Sequence, residues 1–205
     1  MKTEILRADH PVALRHAVDV LRNGGLVAFP TDTVYGLAAL PFQKGMVERL
    51  YIIKGRSNTK AIAILIGKKE DMELIAGPVG VMAMRLAERF WPGPLTLVVP
   101  GHPDLPKAIS PNATVGVRMP DHPIALALLR EVGPLAVTSA NLSGNENTNT
   151  AQEVLAQLKG RIHLILDGGR TPGGIPSTVI DSTGTEPVIL RDGPISLDEI
   201  RSVHV

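Results

Sequence analysis

Apolar residues fall into short blocks along this chain, and their spacing alternates between that of a helix and that of a strand. Leu14, Val18 and Leu21 recur at helical steps, with Asp9 and Pro11 as candidate N-cap and first turn and Gly24-Gly25 as a stop. Leu26 to Phe29 then forms an unbroken apolar run of strand length. The alternation continues with a helix over Gly45 to Ile53, a strand over Ala61 to Ile66, helical stretches over Lys69 to Ala76 and Pro78 to Phe90, and a strand over Thr96 to Val99. A strand at Val115 to Val117, a helix over Pro123 to Glu131, a strand at Leu135 to Val137 and a helix over Ala151 to Leu158 follow. The chain closes with strands at Ile162 to Leu166, Thr178 to Ile180 and Val188 to Leu190 and a helix from Leu197. Strands interleaved with helices predict an α/β sheet covered by helices, and the strand-rich C-terminal part predicts a mixed sheet.

With 205 residues, 44% of them apolar, the chain has the size of one domain with a sizeable core, and 1–205 reads as a single domain. Twenty-one Lys and Arg balance twenty Asp and Glu, which argues against a dedicated nucleic-acid binder. Cysteine is absent, so disulfides, Cys-ligated zinc and thiol chemistry are excluded. The six histidines, His10, His16, His102, His122, His163 and His204, are scattered with no pair at zinc-site spacing, and no metal-ligating residues are expected. Neither a signal peptide nor a membrane span is legible, which sets the expectation of a cytoplasmic protein with no membrane partner.

Glycine and proline concentrate where strands end, the places at which open α/β sheets bind ligands. The segment from Pro30 to Leu37, Pro-Thr-Asp-Thr-Val-Tyr-Gly-Leu, leaves a buried strand and packs small polar side chains into a turn; turn punctuation and ligand binding both fit it. Lys54-Gly55-Arg56, with Lys60 close behind, follows an amphipathic helix, either as a solvated cap or as a phosphate site combining a planar fork with a point charge. Arg118 ends an apolar strand, where it must snorkel, pair with an acid or serve a ligand. Thr138-Ser139-Ala140-Asn141 collects small donors at another strand end, and Ser177 and Arg191 repeat the theme. No Gly-x-x-x-x-Gly-Lys-Ser/Thr loop, Gly-x-Gly-x-x-Gly or Gly-x-Ser-x-Gly elbow occurs, so any nucleotide site is built differently. Nor is a nucleophile evidently paired with a histidine, which favours direct displacement organised by positioning and charge.

Taken in order, these segments resemble the YrdC/TsaC family of threonylcarbamoyl-AMP synthases over Gly25 to Gly193. Pro-Thr-Asp-Thr-Val-Tyr-Gly-Leu matches its opening signature, and Lys54-x-Arg56 with Ser139-x-Asn141 matches the pair associated with activity. The resemblance implies a strongly twisted mixed sheet with a concave, positively charged cavity. It implies an ATP-dependent nucleotidyltransferase that joins L-threonine, bicarbonate and ATP into threonylcarbamoyl-AMP and pyrophosphate, with Mg2+ carried mainly on the phosphates. Carried over by motif, Lys54, Arg56, Ser139 and Asn141 are catalytic and Thr33, Arg118, Thr138 and Ser177 hold threonine. ATP falls to Arg56, Lys60, Thr114, Ala140 through its backbone, Asn141 and Arg191. The implied partner is the transferase complex that modifies tRNA, with weak binding of tRNA or double-stranded RNA beside it. Ser57 and Ala61 stand where the family usually has proline, which predicts a more flexible loop. The chain resembles the short form of the family, without the extra C-terminal domain of longer relatives. The rival readings are an RNA-binding module, weakly supported by only six aromatic residues, and a different carbamoyl- or adenylyl-transferase on the same scaffold.

Overall fold

The computed structural model describes residues 1–203, so His204 lies outside the described residues. The elements in chain order are β1 (Glu4–Arg7), α1 (Ala13–Arg22), β2 (Val27–Phe29), β3 (Gly36–Ala39), α2 (Met46–Lys54), β4 (Ala63–Leu65), a 3-10 helix (Lys69–Leu74), α3 (Val81–Phe90) and β5 (Leu95–Pro100). They continue with β6 (Thr114–Arg118), α4 (Pro123–Val132), β7 (Leu135–Ser139), α5 (Ala151–Leu158), β8 (Leu164–Asp167), β9 (Thr178–Asp181), β10 (Val188–Arg191) and α6 (Leu197–Arg201). The strands form one open sheet in the order β1-β8-β2-β3-β7-β4-β6-β5-β9-β10. Parallel pairs such as β4 with β6 stand in one sheet with antiparallel pairs such as β3 with β7, so the expected mixed sheet is present.

Side-chain parity splits the core in two. Leu26 and Ala28 of the β2 region, Leu37 and Ala39 of β3, Ile64 of β4, and Val115 and Val117 of β6 join one cluster with α2, α3, α5 and α6. Their strand neighbours Val27, Phe29, Ala38, Leu65 and Val137 join a second cluster with α1 and α4. This is the period-two consequence of the pleat: successive residues face opposite sides of the sheet. Helices α1 and α4 pack on each other, and α1 also lies against β2 and β8. Among the described residues that second cluster takes in none of β6, β5 or β9, and a concavity lies on those strands.

Three details differ from the sequence expectation. Helix α1 starts after Val12 with no side-chain cap, because Asp9 is engaged by Arg7 at 2.6 Å and is too far upstream to reach the first turn. Strand β1 is an exposed edge strand, with Ile5 41% accessible, and it lacks the apolar run that marks an interior strand. Strand β3 overlaps the end of the Pro30 to Leu37 segment that reads as a turn and has no expected strand, because Gly36, Ala38 and Ala39 carry almost no strand propensity.

Candidate functional site: a three-arginine cavity

Alternate residues of the sheet build the floor of the concavity. Ala63 and Leu65 of β4, Gly116 and Arg118 of β6, Thr96 and Val98 of β5, Val137 and Ser139 of β7, and Val179 of β9 all line it. Register keeps them in rows, with Ala63 opposite Val137, Leu65 opposite Arg118 and Val98 opposite Gly116. The floor is open because its central residues are small: a Cβ on Gly116 would already stand 3.2 Å from Thr96 Cγ2. The cavity measures about 310 Å³, near the lower bound of roughly 300–1,000 Å³ usual for small-molecule sites.

Arg118 dominates one end. It is 5% exposed, and its Nε donates to Gly93 O at 3.0 Å, its Nη1 to Thr33 Oγ1 at 2.9 Å and its Nη2 to Asp32 Oδ1. Burial pulls the guanidinium pKa down while Asp32 opposes that shift. Of the five guanidinium N–H groups, three are thus committed and one on each terminal nitrogen remains for a ligand. Beside it, Ser177 Oγ lies 2.7 Å from Thr96 Oγ1 and accepts from Arg191 Nη2 at 3.0 Å. Arg191 also caps Ser177 O through Nε and Nη2. Its pKa is lowered by burial, then by Arg118 and by Arg56, so Arg191 feels both of the other guanidinium groups.

Arg56 marks the other end. It is half-buried and donates to Ala61 O at 2.9 Å, just ahead of β4, whereas Arg118 pairs in register with Leu65 at the far end of that strand. The four residue steps from Ala61 to Leu65 span at most roughly 13 Å, so the cavity offers two cationic ends, and Arg191 feels both. No Asp or Glu is among the lining residues. Asp32, next to the lining residues Thr31 and Thr33, pairs with Arg118, and its Oδ2 is buried without a hydrogen-bond partner.

The structure brings Thr33, Arg56, Arg118, Thr138, Ser139, Ser177 and Arg191 into this one cavity. It places the other candidates elsewhere. Lys54, 2% exposed, is not among the lining residues, and its Nζ donates to Ser139 O, to Asn141 O and to Asn141 Oδ1. Burial, then Arg56, draws its pKa down to about 7. The Asn141 amide is committed in turn, accepting from Ser139 Oγ at 2.6 Å and donating to Asn145 O at 2.7 Å. The Ala140 N–H donates to Tyr35 O. Lys54, Ala140 and Asn141 therefore brace the strand end that presents Thr138 and Ser139. Lys60 is exposed outside the lining, its carbonyl accepting from Tyr51 Oη, and Thr114 sits at the start of β6 opposite Pro100.

Sequence reasoning gave no role to Thr31, Asp32 or Thr96, and had one usable signal for Thr96, a lone hydroxyl in the apolar run Leu95 to Val99. The glycine-rich loop after β8 fixes the Thr31 to Thr33 segment from above: a Cβ on Gly173 would meet Asp32 O at 2.6 Å, and Gly174 N donates to Thr33 O. Tyr35 Oη ties the same loop down by donating to Gly169 O at 2.8 Å.

A family model for Sua5/YciO/YrdC proteins, described as telomere recombination, matches residues 19–193. The chain belongs to the Sua5/YciO/YrdC family. Within that family it is 42% identical to a threonylcarbamoyl-AMP synthase of Bacillus subtilis over 98% of its own length and 59% of the relative's. It is 44% identical to a Pyrococcus abyssi protein of the same name over 93% of its length and 56% of the relative's. The chain thus spans little more than half the length of these relatives. A putative threonylcarbamoyl-AMP synthase of Mycobacterium tuberculosis is 40% identical and is covered over 87% of its length. Among solved structures, P. abyssi Sua5 complexed with L-threonine superimposes with a TM-score of 0.92 at 42% identity, covering 98% of this chain and 60% of that one. Escherichia coli YciO matches with a TM-score of 0.85 at 29% identity, covering 97% and 98%.

The donor set also bears on metal. No group of three His, Cys, Asp or Glu among the described residues converges on a point. A magnesium ion held in a carboxylate cage does not fit the lining of this cavity. No helix among the described residues is long and apolar enough to cross a membrane.

Proposed function

We propose that this chain condenses L-threonine, bicarbonate and magnesium-bound ATP into threonylcarbamoyl-AMP and pyrophosphate, acting as a nucleotidyltransferase in the cytoplasm. The observation that carries the reading is the set of three guanidinium groups along one cavity with no lining carboxylate, hydroxyls clustering at the Arg118 end. Relatives named for this reaction, at about 40% identity, support it.

The amine of threonine adds to the carbon of bicarbonate-derived CO2 and loses a proton, giving a carbamate. A carbamate oxygen then attacks the α-phosphorus, and the bond to the bridging oxygen breaks as pyrophosphate leaves. Carboxylate, carbamate and triphosphate must share a cavity poor in water, where their repulsion is strong and fixed cations offset it. Arg118 takes the threonine carboxylate, Thr33, Thr96 and Ser177 lie beside it toward the rest of the amino acid, and Arg191 bridges toward the phosphates held by Arg56. Lys60 and Thr114 lie toward the nucleotide's outer end. Lys54, Ala140 and Asn141 act by keeping Thr138 and Ser139 in place. The adenylate passes to a transferase complex that modifies tRNA, and contact of this chain with the tRNA or double-stranded RNA backbone belongs to that hand-over.

The purified chain, without RNA, is expected to release pyrophosphate from magnesium-ATP only when threonine and bicarbonate are both present. Equal release with either omitted would overturn the proposal. Gly116→Val gives an independent check on the cavity. Its branched side chain fills the floor beside Thr96, so calorimetry should find binding of threonine and of ATP weakened by at least about tenfold, with a melting temperature lowered by only a few degrees. Unchanged affinities for both would place the substrates elsewhere.

A further inference from the structure

The hydroxyl of Thr33 has its hydrogen-bond polarity fixed from two sides. Thr31 Oγ1 stands 2.7 Å from Val34 O, and since a carbonyl only accepts, the one hydrogen of Thr31 is committed there. Its acceptor capacity receives the Thr33 N–H at 3.2 Å and meets the Thr33 hydroxyl at 3.0 Å. In that hydroxyl pair one partner must supply the hydrogen; Thr31 has none left, so Thr33 donates. On its other side Thr33 Oγ1 faces Arg118 Nη1 at 2.9 Å, a group that can only donate. Thr33 therefore enters the cavity, which both threonines line, with one free lone pair and no hydrogen to give.

We propose that Thr31 is a specificity-determining positioning residue: by taking the Thr33 hydrogen it makes Thr33 an acceptor for the β-hydroxyl of the bound amino acid. The proposal rests on the reading that this cavity holds threonine. The α-amine and carboxylate are common to every amino acid and carry no choice among side chains, whereas the β-hydroxyl keeps its hydrogen throughout the reaction. A lone pair facing the ligand repels a carboxylate, which is left to the two free N–H groups of Arg118. A buried acceptor also disfavours any ligand that brings no donor to it.

The test compares, by calorimetry, L-threonine with its analogue carrying fluorine in place of the hydroxyl, close in size but without a donor. Wild type should prefer threonine by more than about tenfold. Thr31→Val frees the Thr33 hydrogen to turn toward the ligand, so the preference should shrink by at least about fivefold, and Thr31→Ser, which restores the acceptor, should keep it. Thr33→Val should abolish the preference, and adding Thr31→Val to it should change nothing more, since Thr31 acts only through Thr33. A folded Thr31→Val protein with the wild-type preference would overturn the inference, as would effects of the two substitutions that add. Should Thr31→Val fail to fold, Thr33→Val still decides: a preference kept in that variant overturns the inference. Wild-type protein binding neither amino acid would instead bring down the threonine reading of the cavity, and the role of Thr31 with it.

Discussion

Replacing Arg118 by glutamine is expected to raise the threonine dissociation constant by roughly ten- to a thousandfold while changing that for ATP by no more than a few-fold. Two N–H groups remain on the guanidinium after Gly93, Thr33 and Asp32 are served, and they face a cavity end furnished with hydroxyls. Glutamine keeps a donor but loses both the charge and the planar fork that grips a carboxylate through two bonds. Lysine restores charge without geometry and should rescue only in part. Stability will also fall, because Asp32 is left as a largely buried carboxylate whose Oδ2 already lacks a partner. Breaking a buried pair on one side costs about 3–5 kcal/mol. The two roles separate in Arg118→Gln with Asp32→Asn, which removes the stranded charge: its melting temperature should recover well above that of the single variant, and threonine binding should not. A single variant that impairs ATP at least as much as threonine would reverse the assignment of the two cationic ends.

Lys54→Met is expected to lower stability by about 2–4 kcal/mol, or the melting temperature by roughly 5–15 °C. Two carbonyls and an amide oxygen converge on Lys54 Nζ, and methionine fills the space while removing that donor from all three, with Asn141 Oδ1 keeping Ser139 Oγ. Turnover should fall as well, through the displaced Ser139 segment. The effect carries a pH signature. Folding draws the Lys54 pKa from 10.5 down to about 7, so between those values the unfolded chain holds a proton that the folded chain has released. Stability from this group therefore rises as pH climbs from 7 toward 10.5 and is least below 7. The stability difference between wild type and Lys54→Met should widen in that direction, as read from chemical denaturation at pH 6 and pH 9. A difference that stays flat or narrows would mean that Lys54 remains an ammonium in the folded protein. A Lys54→Met protein of wild-type stability but without activity would return Lys54 to direct contact with phosphate.

Lys54 also shows where sequence reading stops. Its position after an amphipathic helix and beside Arg56 suits either a solvated cap or a phosphate ligand, and the two residues share that local pattern. The structure separates them. Arg56 follows the left-handed turn at Gly55 and lines the cavity, whereas Lys54 is still on α2 and is not among the lining residues. Asn141 likewise carries the right chemistry for a ligand, yet its amide is consumed by Ser139, Lys54 and Asn145. Local sequence tells which groups a residue can offer but not which neighbours have already accepted them.

The chain's own pattern carries the alternation of helices and strands and the mixed sheet, and its resemblance to the family carries twelve site residues, seven of which line the cavity. These follow from periodicity and from ordered motifs, which are properties of neighbours along the chain. Strands β1 and β3 were invisible to the same reasoning, the first because an edge strand needs little apolar surface, the second because its small residues make room for other groups. Contacts across the fold pair Asp32 with Arg118 and Thr96 with Ser177, and the partners around Thr31 underlie the inferred polarity of Thr33. The first two contacts join side chains 86 and 81 positions apart in sequence, and the third is set by the hydrogen-bond partners that close around two neighbouring hydroxyls. Sheet order and register make those meetings, and burial then commits each lone pair and hydrogen to one partner because no water remains to exchange with it.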